Sequence, residues 1–365
     1  MAKQPLQLFI KKQVQTDLYK KTGLEKTLTA FSLTTMGIGA IVGSGIFITP
    51  GLIAANYTGP SVMLSYVIAV IVCAMAALCY SEFSSTIPLA GSAYTYVYAV
   101  FGEFVAWILG WALISEYLFA VSSVAVSWSS YLQNLMGGFG IKLPTFLQAA
   151  AGTAGVKGGG IDIVALLITM LVAALLSKGI RESARINNIM VIVKILVILL
   201  FIAIAIFYVK PSNYRPFLPF GTHGVFKGAA VAFYAYIGFD AVSTASEEVK
   251  NPKRNMPIGI ISSLLVAAVL YISLSAVLVG VVHYTKLGVA DPVAFALNLI
   301  HQDWAAGVIS FGAIVGMTTV LIVMSYGGTR LLFAISRDGL LPESLKKLNP
   351  VSYTHLRAHE TLRHL

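Results

Sequence analysis

GIGAIVGSGIF, residues Gly37 to Phe47, puts four glycines within nine positions of an apolar run. A glycine inside a helix costs roughly 1 kcal/mol relative to alanine. Two readings account for them. Gly39 and Gly43 form a GxxxG pair that lets a neighbouring helix approach closely, or the helix is interrupted here. A second stretch bears on the choice. AFYAYIGFDAVST, Ala232 to Thr244, sets Gly238 and Asp240 in the middle of another apolar run. Paired interruptions in two corresponding spans are what an inverted five-plus-five helical repeat predicts.

Composition sets the frame for that repeat. Of 365 residues, 57% are hydrophobic and 11% charged, with a mean hydropathy of +0.82. Globular domains carry roughly 25% charged residues, so this chain lacks the polar surface of a water-soluble fold. Several apolar runs reach the roughly 20 residues that cross a bilayer as a helix. Lipid cannot solvate backbone amides, and the runs are continuous rather than alternating, which selects helices over a barrel. The fold class is all-α integral membrane. Net charge is +10, but lysines and arginines cluster just outside the apolar runs, the distribution of a membrane protein rather than a nucleic-acid binder. Cys73 and Cys79 share one apolar run and read as small buried hydrophobes, with no disulfide or metal inferred. No cleavable signal peptide is visible, and the first 28 residues form a basic tail with Lys3, Lys11, Lys12, Lys20, Lys21 and Lys26.

Eight spans are predicted, at about 30–56, 61–80, 103–133, 161–178, 188–209, 224–247, 257–283 and 304–336. Lys178, Arg181 and Arg185 follow the fourth span, Lys250, Lys253 and Arg254 the sixth, and Arg330, Arg337, Lys346 and Lys347 close the eighth. All three groups are cytoplasmic if the N-terminus is cytoplasmic. Segment 81–102, SEFSSTIPLAGSAYTYVYAVFG, is too polar and interrupted to span and is placed as a cytoplasmic interfacial piece. The domains expected are a tail at 1–28, a first repeat at 29–210 and an incomplete second repeat at 211–350. The last fifteen residues, 351–365, hold three of the six histidines and no apolar run. VSYTHLRAHET reads as a translated sequencing-library adapter, so native sequence is expected to stop near Pro350.

A broken helix exposes backbone groups at membrane depth. The second half-helix offers free amides and a positive dipole end; the first offers free carbonyls. An amino acid zwitterion needs both. A third feature is Lys194, alone in the apolar run NNIMVIVKILVILLF, Asn187 to Phe201. It lies about 6 residues, roughly 9 Å, from the cytoplasmic end of its span, so its stem can snorkel. Asn187, seven residues away, shares its helix face, which points to a protein-facing side.

GIGAIVGSGIF, IPLAGSAYTY, AYIGFDAVSTASEEVKNPKRNMPIGI and YGGTRLLFAISRDGLLP resemble the amino acid–polyamine–organocation superfamily. Within it the chain is most similar to the cationic amino acid transporter subfamily and its bacterial relatives, over about residues 25 to 350. The resemblance implies the leucine-transporter-like fold with twelve or more helices, helices 1 and 6 broken, so about eight of twelve are expected here. It implies that Ser44 and Gly45 donate amides to a substrate carboxylate, and that Ile41, Tyr234, Ala235 and Ile237 offer carbonyls to the ammonium. Met324 takes a position facing the substrate side chain and would shorten the pocket. Lys194 matches the lysine that stands in for a sodium ion in related bacterial transporters. Its charged form is expected to bond carbonyls at the first break, Gly39 or Val42, and its neutral form to release them.

Glu116 is read as a second proton site, a pocket wall or a partner for a hydroxyl. Gly43 and Gly238 support the breaks, and Asp240 is expected to cap the second half-helix with its carboxylate. Glu247 and Glu248, followed by Lys250, Lys253 and Arg254, read as a cytoplasmic gate or structural ion pairs. Phe233, Tyr234 and Tyr236 read as packing, or one of them as a thin gate. The expected function is proton-coupled symport of a small neutral L-amino acid by alternating access, in a bacterial cell membrane. A cationic amino acid transporter or exchanger, or a permease-like sensor, are the alternatives. No enzyme motif such as HExxH or GxSxG occurs, no channel-like polar stripe is seen, and no cofactor, metal, nucleic acid or obligatory partner subunit is expected. The partners expected are substrate, protons and lipid.

Overall fold

A computed structural model describes residues 26–138, 140–153, 158–177, 180–289 and 291–346, with no side chains described for 138, 180–186 and 346. Most of the basic tail, the side chains of Arg181 and Arg185, and the proposed adapter segment 351–365 lie outside the described residues. The described structure is helical apart from two isolated bridges, Leu28 with Val249 and Ala150 with Gly160. Helices α1 (Ala30–Ile41), α2 (Ser44–Phe47), α3 (Thr49–Ile53), α4 (Val62–Thr86), α5 (Ser92–Phe101), α6 (Glu103–Gly138) and α7 (Thr145–Gln148) make the first part. Next come α8 (Ile163–Ser177), α9 (Ile180–Ala205), α10 (Gly221–Tyr236), α11 (Ala241–Thr244), α12 (Pro252–Val281), α13 (Pro292–Leu299) and α14 (Asp303–Arg337).

Among the described residues, six stretches are long and apolar enough to cross a membrane, and α1 and α8 are shorter apolar helices. The first predicted span is cut in two because Val42 (φ −82°, ψ 94°) and Gly43 (φ −146°, ψ −129°) leave helical geometry. The sixth is cut after Tyr236, where Ile237 turns extended and Gly238 adopts φ +121°. A side chain at Gly238 would be strained in that region. Segment 81–102 does not span: α4 runs on to Thr86, and α5 is a separate short helix bounded by Gly91 and Gly102, both at positive φ. Helix α13, before the eighth span, carries no charge and was not anticipated; Asp291 and Pro292 open it.

The broken helices sit inside the bundle. Helix α1 packs on α12, α9 and α14; α10 packs on α4; α14 packs on α6 and α9. Lipid-facing side chains such as Met75, Phe119 and Leu196 remain exposed, as expected where bilayer rather than water covers them. The glycines of the opening motif serve close approach as well as the break. A Cβ on Gly37 would meet Ser263, and one on Gly43 would meet Val320.

Candidate functional site

The two breaks are pressed against each other. A Cβ on Gly238 would lie 2.9 Å from the carbonyl carbon of Ala40 and 3.0 Å from its oxygen. A Cβ on Gly45 would lie 2.9 Å from the Cβ of Ala235 and 3.1 Å from its carbonyl oxygen. Each break therefore has a glycine where the other's backbone must approach. Between them opens a cavity of about 350 Å³, counting its mouth, lined by Ala40, Ile41, Gly43, Ser44, Gly45, Ala120, Val124, Tyr234, Ala235, Ile237, Val320 and Met324.

Backbone polarity and side-chain apolarity divide this cavity. In its wall, α2 opens at Ser44 with Gly43 as its N-cap, and no hydrogen bond donated by the amides of Ser44 or Gly45 is found among the described residues. The carbonyls of Ile41 and Ala235 lie nearby, each 2.8 Å from the Tyr271 hydroxyl. That hydroxyl has one proton and satisfies one carbonyl at a time. The remaining wall, Ala120 and Val124 from α6 with Val320 and Met324 from α14, is wholly apolar. Donors, acceptors and an apolar wall are what the carboxylate, ammonium and side chain of a neutral amino acid require.

Of the residues expected at the substrate, Ile41, Ser44, Gly45, Tyr234, Ala235, Ile237 and Met324 line this cavity. Glu116 is not in its wall. Glu116, Ala120 and Val124 follow one face of α6 at four-residue steps, and Glu116 lies one turn beyond the cavity, where it faces Asp240. Asp240 stands at the N-cap position of α11, but its side chain makes no capping bond. Its Oδ2 accepts instead from the hydroxyl of Tyr117 at 2.8 Å.

Lys194 lies behind the first break and is fully buried, with 0% exposure. Its Nζ donates to the carbonyls of Ile38 (2.9 Å), Gly39 (3.2 Å) and Val42 (2.8 Å) in the last turn of α1, and lies 2.8 Å from Thr319 Oγ1 of α14. It does not snorkel. The break strips the carbonyls of Gly39 and Val42 of their helical partners, while Ile38 O also accepts from the Val42 amide at 3.0 Å, and an ammonium collects all three with charge-assisted bonds.

Beyond the second break, Glu247 and Glu248 are buried, and their ion-pair partners come from α14, not from Lys250, Lys253 or Arg254. Glu248 pairs with Arg330 at 2.7 Å and accepts from Tyr326. Glu247 pairs with Arg337 at 2.9 Å and accepts from the amide of Ala90. Burial pushes the Glu248 carboxyl above its ordinary range, with the Arg330 guanidinium pulling against it. The backbone of 248 and 250 also clasps Leu28 on both sides.

Sequence reasoning missed Thr319, Tyr271 and Tyr117. Thr319 was legible as a hydroxyl five residues before Met324, and Tyr271 as an aromatic hydroxyl mid-span; what they bond depends on helix rotation. Among the described residues no cluster of His, Cys, Asp and Glu could hold a metal ion.

Residues 28–358 match the sequence profile described as amino acid permease. The chain is 50% identical over 352 residues to the methylthioribose transporter of Bacillus subtilis (strain 168), covering 96% of this chain and 76% of that protein. It is 51% identical over 350 residues to the branched-chain amino acid permease BcaP of the same organism, covering 94% and 74%. It is 37% identical over 335 residues to cationic amino acid transporter 1 of Arabidopsis thaliana, covering 92% and 56%.

Proposed function

The chain belongs to the amino acid permease family, whose members are transporters and not enzymes, and from that premise we propose that it is a proton-coupled symporter of a neutral aliphatic L-amino acid, working by alternating access in a bacterial cell membrane. The observation that carries the reading is the cavity between the breaks, lined by unpaired amides, shared carbonyls and apolar side chains. Ser44 and Gly45 hold the carboxylate. The carbonyls of Ile41, Tyr234, Ala235 and Ile237 hold the ammonium, displacing the Tyr271 hydroxyl from one of them. Met324, Val320, Ala120 and Val124 meet the side chain. That wall contains no carboxylate, which disfavours arginine and lysine, and one relative is named for branched-chain substrates.

Lys194 couples the proton. Charged, it ties the end of α1 to α9 and α14 through four polar contacts. Neutral, it has fewer donors and loses the ionic strength of those bonds, freeing α1 to move. Protonation from outside and release inside then bias the cavity between outward-open and inward-open states. Residues 29–210 and 211–350 act as the two halves that rock.

A second reading has its own support: a relative of equal identity is named for methylthioribose. A thioether sugar offers hydroxyls and no ammonium. The test is uptake of radiolabelled leucine by the full-length protein in proteoliposomes, with and without an inward proton gradient, in competition with alanine, arginine and methylthioribose. Gradient-driven uptake blocked by neutral amino acids supports the proposal. Uptake indifferent to the gradient, or blocked by methylthioribose alone, overturns it.

A further inference from the structure

Two turns below Lys194, about 10 Å along α9, the side chain of Asn187 is 4% exposed and its Oδ1 has no hydrogen-bond partner among the described residues. Its Nδ2 reaches Thr35 O only at 3.5 Å. A buried amide oxygen left unpaired costs about 1–3 kcal/mol, so a group kept in that condition calls for a reason. Its surroundings supply one. Asn187 lies directly on Gly39, where a Cβ would stand 2.7 Å from Oδ1, and the carbonyl of that same Gly39 accepts from Lys194. On the cytoplasmic side the polar groups continue. Thr35 donates to Asn188 Oδ1 at 2.6 Å, and Thr35 Oγ1 is 3.0 Å from Ser32 O. Ser32 Oγ lies 3.1 Å from Thr29 Oγ1 at the exposed N-cap of α1. Hydroxyls at 29, 32 and 35 recur at three-residue steps along one face of α1, opposite the amides of 187 and 188 on α9.

We propose that this seam between α1 and α9 is the route by which the proton leaves Lys194 for the cytoplasm, with Asn187 as the positioning residue that holds a relaying water beside the Gly39 peptide. The proposal rests on the reading of Lys194 as the coupling amine. An unpaired oxygen at a site with other polar partners is what a bridging water needs, and the absence of a Cβ at Gly39 is what lets the Asn187 amide lie against that peptide. Among the described side chains, no fixed charge other than Lys194 lies along the seam. Helix α1 and helix α8 contain no ionisable side chain, and the described side chains of α9 include only Lys194. The charges of α12, Lys253 and Arg254, lie in its first turn. Of those on α14, Asp303 is in the far first turn, and Arg330 and Arg337 pair with Glu248 and Glu247. Asp240, before α11, accepts from Tyr117.

The experiment uses full-length protein in liposomes that trap a pH-sensitive dye, and reads substrate-evoked lumenal acidification beside proton-independent substrate exchange. Asn187→Leu and Thr35→Val are expected to slow acidification by about a hundredfold, the low end of what a positioned proton-transfer group contributes, while exchange is unchanged. Asn187→Ser, polar and small enough to keep a water, is expected to recover most of the rate. Should Asn187→Leu not fold, Thr35→Val, which keeps the side chain's shape, decides alone. Wild-type acidification in the folded variants overturns the seam. Lys194→Met, run in parallel, separates the two ideas. If it too acidifies normally, the coupling reading fails; if it alone abolishes acidification, only the seam fails.

Discussion

Replacing Gly238 with alanine tests the contact on which the cavity depends. At φ +121° a residue with a Cβ occupies a strained region costing about 1–3 kcal/mol. The new methyl also falls 2.9 Å from the carbonyl carbon of Ala40. That neighbour is backbone, so no rotamer change relieves the overlap, and overpacking of this kind costs about 1–3 kcal/mol more. The sum, about 2–6 kcal/mol, is a large part of the roughly 5–15 kcal/mol that holds a folded protein. The relief open to the molecule is separation of the two breaks, which also moves the carbonyl of Ile41 and the amides of Ser44 and Gly45. Gly307→Ala is the control: a Cβ there meets nothing within 4 Å, and helix propensity favours alanine by up to about 1 kcal/mol. Melting of the detergent-solubilised protein, followed by intrinsic fluorescence with and without leucine, is expected to show Gly238→Ala well below wild type and blind to leucine. Gly307→Ala should match or exceed wild type. If Gly238→Ala melts with Gly307→Ala and still responds to leucine, the packed-breaks account is wrong.

Tyr271→Phe leaves the carbonyls of Ile41 and Ala235 without their shared donor, a loss of about 1–3 kcal/mol. A substrate ammonium refills that place, so the stabilisation that leucine confers should be larger in this variant than in wild type; an equal or smaller thermal shift counts against the ammonium site. Met324→Ala lengthens the apolar end, and competition assays should show longer neutral side chains gaining on alanine, with no change in order if Met324 is remote from the side chain. Glu248→Ala strands Arg330 in a buried site, and losing one partner of a buried pair costs about 3–5 kcal/mol. Glu248→Gln, which still accepts from Tyr326 and Arg330, should melt between the two, and a melt equal to wild type for both would show the pair to be idle.

The breaks were legible not from glycine alone, which also serves close packing in membrane helices, but because two spans with mid-membrane interruptions match each other. The buried lysine was legible because an ammonium in fifteen apolar residues is expensive. Rotation and depth were harder to read. Glu116 shares a face with Ala120 and Val124, yet one turn of rise takes it past the cavity to Asp240. Asp240 has the sequence position of a cap, but its carboxylate is taken by Tyr117, a partner 123 residues away. Glu247 and Glu248 were legible as structural ion pairs, but their partners, Arg330 and Arg337 on α14, lie about 80 to 90 residues away. Sequence distance stands in poorly for spatial distance in a bundle whose helices pack out of order.

The central claim is that protonation of the buried amine, not substrate binding alone, sets the direction of transport. Lys194→Met is a clean probe because the lysine's acceptors are largely doubled. Ile38 O also accepts from the Val42 amide at 3.0 Å, and Gly39 O lies 3.0 Å from Thr319 Oγ1. Only Val42 O is left without another partner among the described residues, a cost of about 1–3 kcal/mol that is offset in part by no longer burying a charge. The decisive measurement is leucine accumulation by the full-length Lys194→Met protein in proteoliposomes as the imposed pH gradient is varied. The account predicts leucine binding retained, by thermal shift, with accumulation flat across every gradient; accumulation that still rises with the gradient as in wild type would contradict it.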